Sequence, residues 1–504
     1  MTSPLRRMAT VREDIESQAV TLAPSDEFAD YEPPRAIKHE VEQQTRGRPG
    51  APPPGQTALK APAKGEKATS SSRLKTLIRH TVLNFTPSWF SVNMGTGIVS
   101  ILLWSLPYQF NGLRTISNII FVLNIVLFIL FVSLSLARYI VWPKLFKLML
   151  FHPSQSLFLG TFAMGFTTIV NMCALSAAPA WGHGFVIFTW TLWWIEAAVS
   201  ILICIGLPFL QFTRHKQKLD GITAVWLLPV VSTIVAGSSG GIVAEILSPS
   251  QARLTLTVSW IMLGTGLPMA FILMALYYLR LAIYKLPPSA LIISGFLPLG
   301  PCGQGAFGLM KLSSVLWKLS KITGQSLAGQ SAATVADADV MATSIYAVSV
   351  IAALVLWGLG LVWLVLAVSL FIDLWWVSEL KFNLGWWGLT FPLGVFASAT
   401  LQLGLELDSG AFRIIGTILS LIVVLLWMAV SAMTLAKVCK GELFHSPCLA
   451  EHMGSLKEKM PDARLYTYEP RQSPRLPLRS LSRSRSRTVS RSRGPRGRRG
   501  RSVE

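Results

Sequence analysis

Between residues 73 and 440, blocks of apolar residues alternate with short polar stretches. Each block is about 20 residues or more, the length an α-helix needs to cross the hydrocarbon core of a bilayer. Ten are legible, at about 86–107, 116–137, 153–177, 184–210, 222–243, 254–279, 289–310, 343–372, 384–404 and 412–436. They predict an all-α membrane protein with ten transmembrane helices. Blocks two and ten are almost unbroken, whereas the odd blocks carry helix-disturbing residues. The first has Pro87, Gly95 and Gly97; the third, Gly160 and Gly165; the fifth, Pro229, Gly237, Gly240 and Gly241. The seventh runs from Gly295 to Gly305 through Pro298, Gly300, Pro301 and Gly303, and the ninth has Pro392 and Gly394. Irregular backbone at membrane depth survives only against protein or a water-filled cavity. The pattern therefore predicts five helical hairpins, with broken odd helices lining a central pore and smooth even helices outside. Pro87, Gly95, Gly165, Pro229, Gly240, Pro298, Gly303 and Pro392 are the residues expected to shape it. The competing reading is ordinary packing, since Gly and Pro are frequent in transmembrane helices.

The ninth block is the most informative. Pro392 sits near the middle of Gly385–Gln402, where a proline removes a backbone hydrogen bond and kinks the helix. Phe391 before it is pushed towards extended geometry, which turns its ring off the regular helical face. A bulky ring at membrane depth beside a kink predicts a plug in a lined pathway.

Polar segments flank the blocks. Residues 1–72 mix charges with a Pro-Ala run and few aromatics, predicting a disordered tail, and no cleavable signal peptide is legible there. Residues 441–504 are basic and end in an Arg/Ser tract from Arg479-Ser480 to Arg501-Ser502, which holds much of the net charge of +20. Such a tract binds polyanions without sequence preference. Serines among arginines fit a segment switched by kinases or held on anionic lipid better than a specific nucleic-acid site. Basic residues cluster before block one (Arg73, Lys75, Arg79) and after blocks two, four, six and ten, so the positive-inside bias puts both termini in the cytoplasm. The loop expected after block seven is mixed, with Lys311, Lys318, Lys321, Asp337 and Asp339.

The polar residues of the odd blocks are neutral, and no ring of acids marks a cation path. All odd helices are expected to start at the cytoplasm, so their positive dipole ends form an anion-collecting mouth. An inside-negative potential favours outward movement of a monovalent anion by about 2.3 kcal/mol per 100 mV. Asn93 and Gln304 can donate hydrogen bonds to an oxyanion or bridge helices. Glu196, the one carboxylate deep in a block, is a candidate for proton coupling or a structural hydrogen bond to a neighbouring helix. Five cysteines show no CxxC spacing. No HExxH, aspartate pair or Ser-His pairing falls within the blocks, which argues against an enzyme, and no metal or cofactor is expected.

Three stretches carry a resemblance: Asn84–Phe90 leading into Met94-Gly95-Thr96-Gly97, Pro298–Gln304, and Trp386–Pro392. In order and placement they resemble the tellurite-resistance/dicarboxylate transporter family, which includes plant slow anion channels, fungal malate permeases and fungal sulfite exporters. The fungal sulfite exporters are the nearest likeness, over roughly residues 73–448. The resemblance implies five hairpins, pore-lining odd helices, a trimer, and occlusion by a ninth-span phenylalanine, here Phe391. It also implies export of sulfite or bisulfite at the plasma membrane. A proton-coupled malate or dicarboxylate carrier, or a nitrate or chloride channel, remains open on the same fold. The Arg/Ser tail is outside the family's pattern.

Overall fold

The computed structural model describes residues 78–285, 289–324, 335–377 and 382–450. The expected N-terminal tail over 1–72 and the Arg/Ser tract lie outside the described residues. Among those described, the regular structure is helical throughout, with no strand. The long helices are α1 (Phe90–Ser105), α2 (Leu113–Val141), α3 (Leu159–Met172), α4 (His183–Thr213) and α5 (Leu227–Ala244). They continue with α6 (Pro249–Tyr284), α7 (Leu299–Thr323), α8 (Val335–Val377), α9 (Thr390–Glu406) and α10 (Gly410–Cys439). Eight helical stretches among the described residues are long and apolar enough to cross a membrane. The expected first and seventh crossings correspond to α1, which has only 16 residues, and to α7, diluted by Gly300, Gly303, Gln304, Gly305 and Lys311.

Burial divides these helices into two classes. In α2, α8 and α10 only 22% of the most apolar window is buried, and in α4 and α6 33%; the figure is 78% around α3 and α9, and 100% around α5. α1 is buried without interruption from Phe90 to Leu103. The exposed class presents apolar side chains such as Ile140, Phe212 and Val365 outward. That is the surface a hydrocarbon solvent calls for and water penalises.

The prolines do something other than the sequence pattern suggests. Pro392 is the third residue of α9, Pro229 the third of α5, Pro298 caps α7, and Pro87 opens a 3-10 turn, Pro87–Trp89, before α1. The first four N–H groups of a helix have no intrahelical acceptor, so a proline there breaks nothing and fixes where the helix starts. The expected mid-helix kink at Pro392 is therefore a helix beginning, and Phe391 is helical rather than extended. Each buried helix follows a 3-10 turn, at Pro87–Trp89, Ser156–Phe158, Ala224–Trp226, Ser289–Phe296 and Leu384–Gly388. The prolines inside helices, Pro208 and Pro268, lie on α4 and α6, in the exposed class.

The buried helices pack one on the next: α1 on α3, α3 on α5, α5 on α7, α7 on α9, and α9 back on α1. A glycine lies at each approach. A Cβ on Gly165 would meet Asn93 of α1; on Gly160, the Leu228 backbone of α5; on Gly308, Ser238 of α5; on Gly303, the Phe396 backbone of α9; on Gly95, Thr390 of α9. Gly240 instead faces outward, against Trp193 of α4 and Ser259 of α6. Without lipid-driven attraction between helices, close backbone approach through small residues is the main source of association energy.

Packing continues past α10. Arg138, fully buried near the end of α2, donates from Nη1 to the Phe85 carbonyl and from Nη2 to Ser446 Oγ at 3.0 Å. Phe444 stacks on Trp89 with centroids 5.2 Å apart. One guanidinium thus joins the lead-in to α1, the end of α2 and the segment after α10.

Two outcomes follow. The Gly303 Cβ position is 2.7 Å from both Phe396 Cα and N, whereas that of Gly264 on α6 meets nothing within 4 Å. Gly303→Ala is expected to cost about 1–3 kcal/mol by overpacking and to lower Tm in detergent, with Gly264→Ala as the unaffected control. In a Cys439→Ser background, Arg138→Met is expected to expose the buried Cys448 thiol to maleimide, which the parent excludes.

Candidate functional site

Phe391 is the second residue of α9 and is 3% exposed. Its backbone is fixed from before and beside. Asn383 Oδ1 accepts from the Gly385 N–H at 2.7 Å, capping the 3-10 turn that precedes α9. Thr390 Oγ1 donates to the Trp387 carbonyl at 2.8 Å, and Trp387 Nε1 donates to Thr434 Oγ1 of α10 at 3.0 Å. Phe391 and Pro392 line a cavity of about 10 Å³, about the room of a single water molecule. The rest of the wall includes Met94 of α1, Met164 of α3, Val231 of α5 and Gly300 of α7. Each of these residues lies within the first two turns of its helix. Five helix starts therefore converge on one point, which sets the five buried helices parallel and gathers their positive dipole ends there.

The predicted site residues divide accordingly. Phe391 and Pro392 are on the cavity wall, and Pro298 lies between the wall residues Leu297 and Gly300. The Pro87 carbonyl accepts from Thr161 Oγ1 at 3.3 Å, tying the lead-in of α1 to α3. Pro229 stands next to the wall residue Leu228, and its carbonyl accepts from Ser232 Oγ at 2.6 Å. Gly95, Gly165 and Gly303 serve the helix approaches between α1, α3, α7 and α9, and Gly240 serves the outer face of α5. None of these four glycines is on the cavity wall.

Asn93 and Glu196 are engaged between helices by their side chains, whereas the bond at Gln304 is made by its backbone. Asn93 is fully buried, and its Nδ2 donates to the backbone carbonyl and to Oδ1 of Asn124 on α2, at 3.2 and 3.1 Å. Asn124 Nδ2 in turn donates to Thr168 Oγ1 of α3 at 3.1 Å, so the two asparagines join three helices. The Gln304 backbone carbonyl accepts from Ser238 Oγ of α5 at 3.0 Å. Glu196 is fully buried on α4 and accepts a hydrogen bond from Thr167 of α3 through Oε1, while its Oε2 has no partner. Beyond the end of α4, His215 Nε2 sits 3.1 Å from the Leu150 carbonyl; burial pushes that imidazole below its ordinary range, and the carbonyl opposes the shift.

Met94, Met164 and Val231 were invisible in the sequence, because one apolar residue in an apolar block carries no signal of which way it faces. Lys311 was also misplaced. Expected in a loop, it lies inside α7, because that helix runs on to Thr323. Its Nζ is 2.7 Å from Glu245 Oε2 at the end of α5.

Residues 84–435 match the voltage-dependent anion channel (SLAC1) family. The chain is 45% identical over 371 residues to the sulfite efflux pump SSU1 of Arthroderma benhamiae, covering 72% of this chain and 93% of that protein. It is 44% identical over 371 residues to the sulfite efflux pump SSU1 of Trichophyton rubrum, with the same coverage. The malic acid transport protein of Schizosaccharomyces pombe is 28% identical, covering 68% of this chain and 76% of that protein. The match spans α1 through most of α10, including every helix that reaches the cavity, and the chain belongs to the voltage-dependent anion channel family.

Proposed function

We propose that the protein exports sulfite or bisulfite across the plasma membrane by potential-driven passage along the axis enclosed by α1, α3, α5, α7 and α9. In this reading the ten long helices form five hairpins, and the odd members line the path. Both termini are cytoplasmic and the chains assemble as homo-oligomers, a trimer by family resemblance. The observation that carries the proposal is the convergence of five helix starts on a cavity that Phe391 helps to line. The dipole ends attract an anion to the point where an apolar ring blocks it, which describes an occluded path. A cavity of about 10 Å³ admits no polyatomic anion, so Phe391 has to move before transport begins. Sulfite as cargo is supported by the names of two relatives that are 44–45% identical to the chain.

The carrier alternative, supported by the malic acid transporter, needs a titrating group along the path. Glu196 is that candidate, yet the hydrogen bond it makes is to Thr167, and it is absent from the cavity wall. In this reading Glu196 serves as a structural bond between α4 and α3 through its Oε1.

Two flux measurements in proteoliposomes test this reading. Under a clamped potential, sulfite efflux through Phe391→Ala is expected to exceed that of the parent by at least about tenfold, the effect of removing about 1.4 kcal/mol of barrier. Glu196→Gln is expected to transport sulfite with the parent's pH profile. Malate flux that follows a pH gradient and vanishes in Glu196→Gln, with Phe391→Ala inert, would instead establish the coupled carrier.

A further inference from the structure

Helix α7 has a well-defined inward stripe. Gly303 is turned towards α9, Gly308 towards α5, and Gly305 outward, against Leu267 of α6 and Leu356 of α8. The sector between the first two and opposite the third contains Gly300, which is on the cavity wall. At 3.6 residues per turn, that sector returns at Gln304, Phe307, Lys311 and Lys318, about 4, 7, 11 and 18 residues on. Lys311 is therefore about three turns and 16 Å from the Phe391 cavity, on the same side of the same helix.

Among the described residues, the ion pairs around it are not one to one. Lys311 has a side chain 15% exposed and sits 2.7 Å from Glu245 Oε2. Lys318, 60% exposed, reaches the other oxygen, Oε1, at 3.5 Å. Two ammonium groups share one carboxylate. Lys321 is paired with Asp339 at 2.7 Å, and the Glu406 carboxylate at the end of α9 accepts from Tyr346 and from Gln402, both at 2.6 Å. Glu245 partners this largely buried lysine while also accepting Lys318. Because Lys318 keeps hold of Glu245, Lys311 can turn a donor to an arriving anion without leaving the carboxylate alone.

We propose that Lys311, held by Glu245 and flanked by Lys318, is a binding post for one small oxyanion in the half of the path beyond Phe391. The post rests on the reading of the chain as an anion exporter. Its role is to give the ion a charge-assisted hydrogen bond after the apolar constriction, where the helix starts no longer reach it. Glu245 tunes it: with the carboxylate close by, the post holds the anion weakly enough to release it.

The test is sulfite flux against sulfite concentration in proteoliposomes, for the parent, Lys311→Gln, Lys311→Arg and Glu245→Gln. Lys311→Gln is expected to raise the half-saturating concentration about tenfold, the scale of one hydrogen bond to a charged group, and Lys311→Arg to restore it. Glu245→Gln is expected to lower it, because the freed cation binds more tightly. A Lys311→Gln value within twofold of the parent's overturns the post. If that variant does not fold, Glu245→Gln decides alone, and an unchanged or raised half-saturation overturns the post. A parent that carries no sulfite overturns the export reading and the post together. A parent that carries sulfite and responds to Phe391→Ala, with the lysine and glutamate variants unmoved, overturns the post only.

Discussion

Close backbone approach between short buried helices is the constraint on which the helical domain depends. In hydrocarbon there is no hydrophobic gain from placing one apolar helix against another, so the gain has to come from packing and interhelical hydrogen bonds. The glycines at the five approaches permit the first, and the Asn93–Asn124–Thr168 chain and the Trp387–Thr434 bond supply the second. A side chain at Gly160 or Gly303 would run into the backbone of the neighbouring helix. Because α1, α3, α5, α7 and α9 each touch the next and α9 closes on α1, a shift at one approach is felt at the cavity.

That packing also explains why the helix starts converge. Each buried helix is preceded by a tight 3-10 turn, and four of the five carry a proline in the turn, at the cap or in the first helical turn. The proline cannot sit further inside without losing a hydrogen bond, so it fixes the level at which the helix begins. With the five starts gathered at one cavity, their N-terminal dipole ends meet around Phe391, while the carbonyl ends point the other way. A residue there experiences a positive field from five sides inside an apolar wall. Attraction and exclusion are built from the same residues.

Much of this was legible in the chain. The all-helical class, the apolar blocks and the family were readable, because span length and a family motif are local signals, and Gly and Pro placement pointed to the more buried helices. What was misread has a common cause. A proline at the first turn and one at mid-helix look alike when the helix boundary is set by apolarity, so Pro392 suggested a kink. The same criterion ended the seventh block near residue 310 and put Lys311 in a loop, although α7 continues to Thr323, about three and a half turns further. Arg138 gave no hint of burial, because its partners lie 53 and 308 residues away in the chain. Asn93 and Gln304 had two readings from the start, and for Asn93 only the position of Asn124 shows how its amide is spent.

The contrast between the two ends of the buried helices bears on how an anion could cross without being trapped. At the Phe391 end, positive potential comes from backbone dipoles, which cannot swing towards the ion and therefore bind it loosely. At the other end, in the proposal above, it comes from the Lys311 ammonium, which is paired with Glu245. Placing a free cation next to the phenylalanine would make a deep well beside a barrier, and the ion would stay there. Separating them by about three helical turns, with the carboxylate weakening the far site, keeps both attractions shallow and leaves the apolar ring as the single obstacle. On the proposed export reading, the distance between Phe391 and Lys311 matters as much as either side chain.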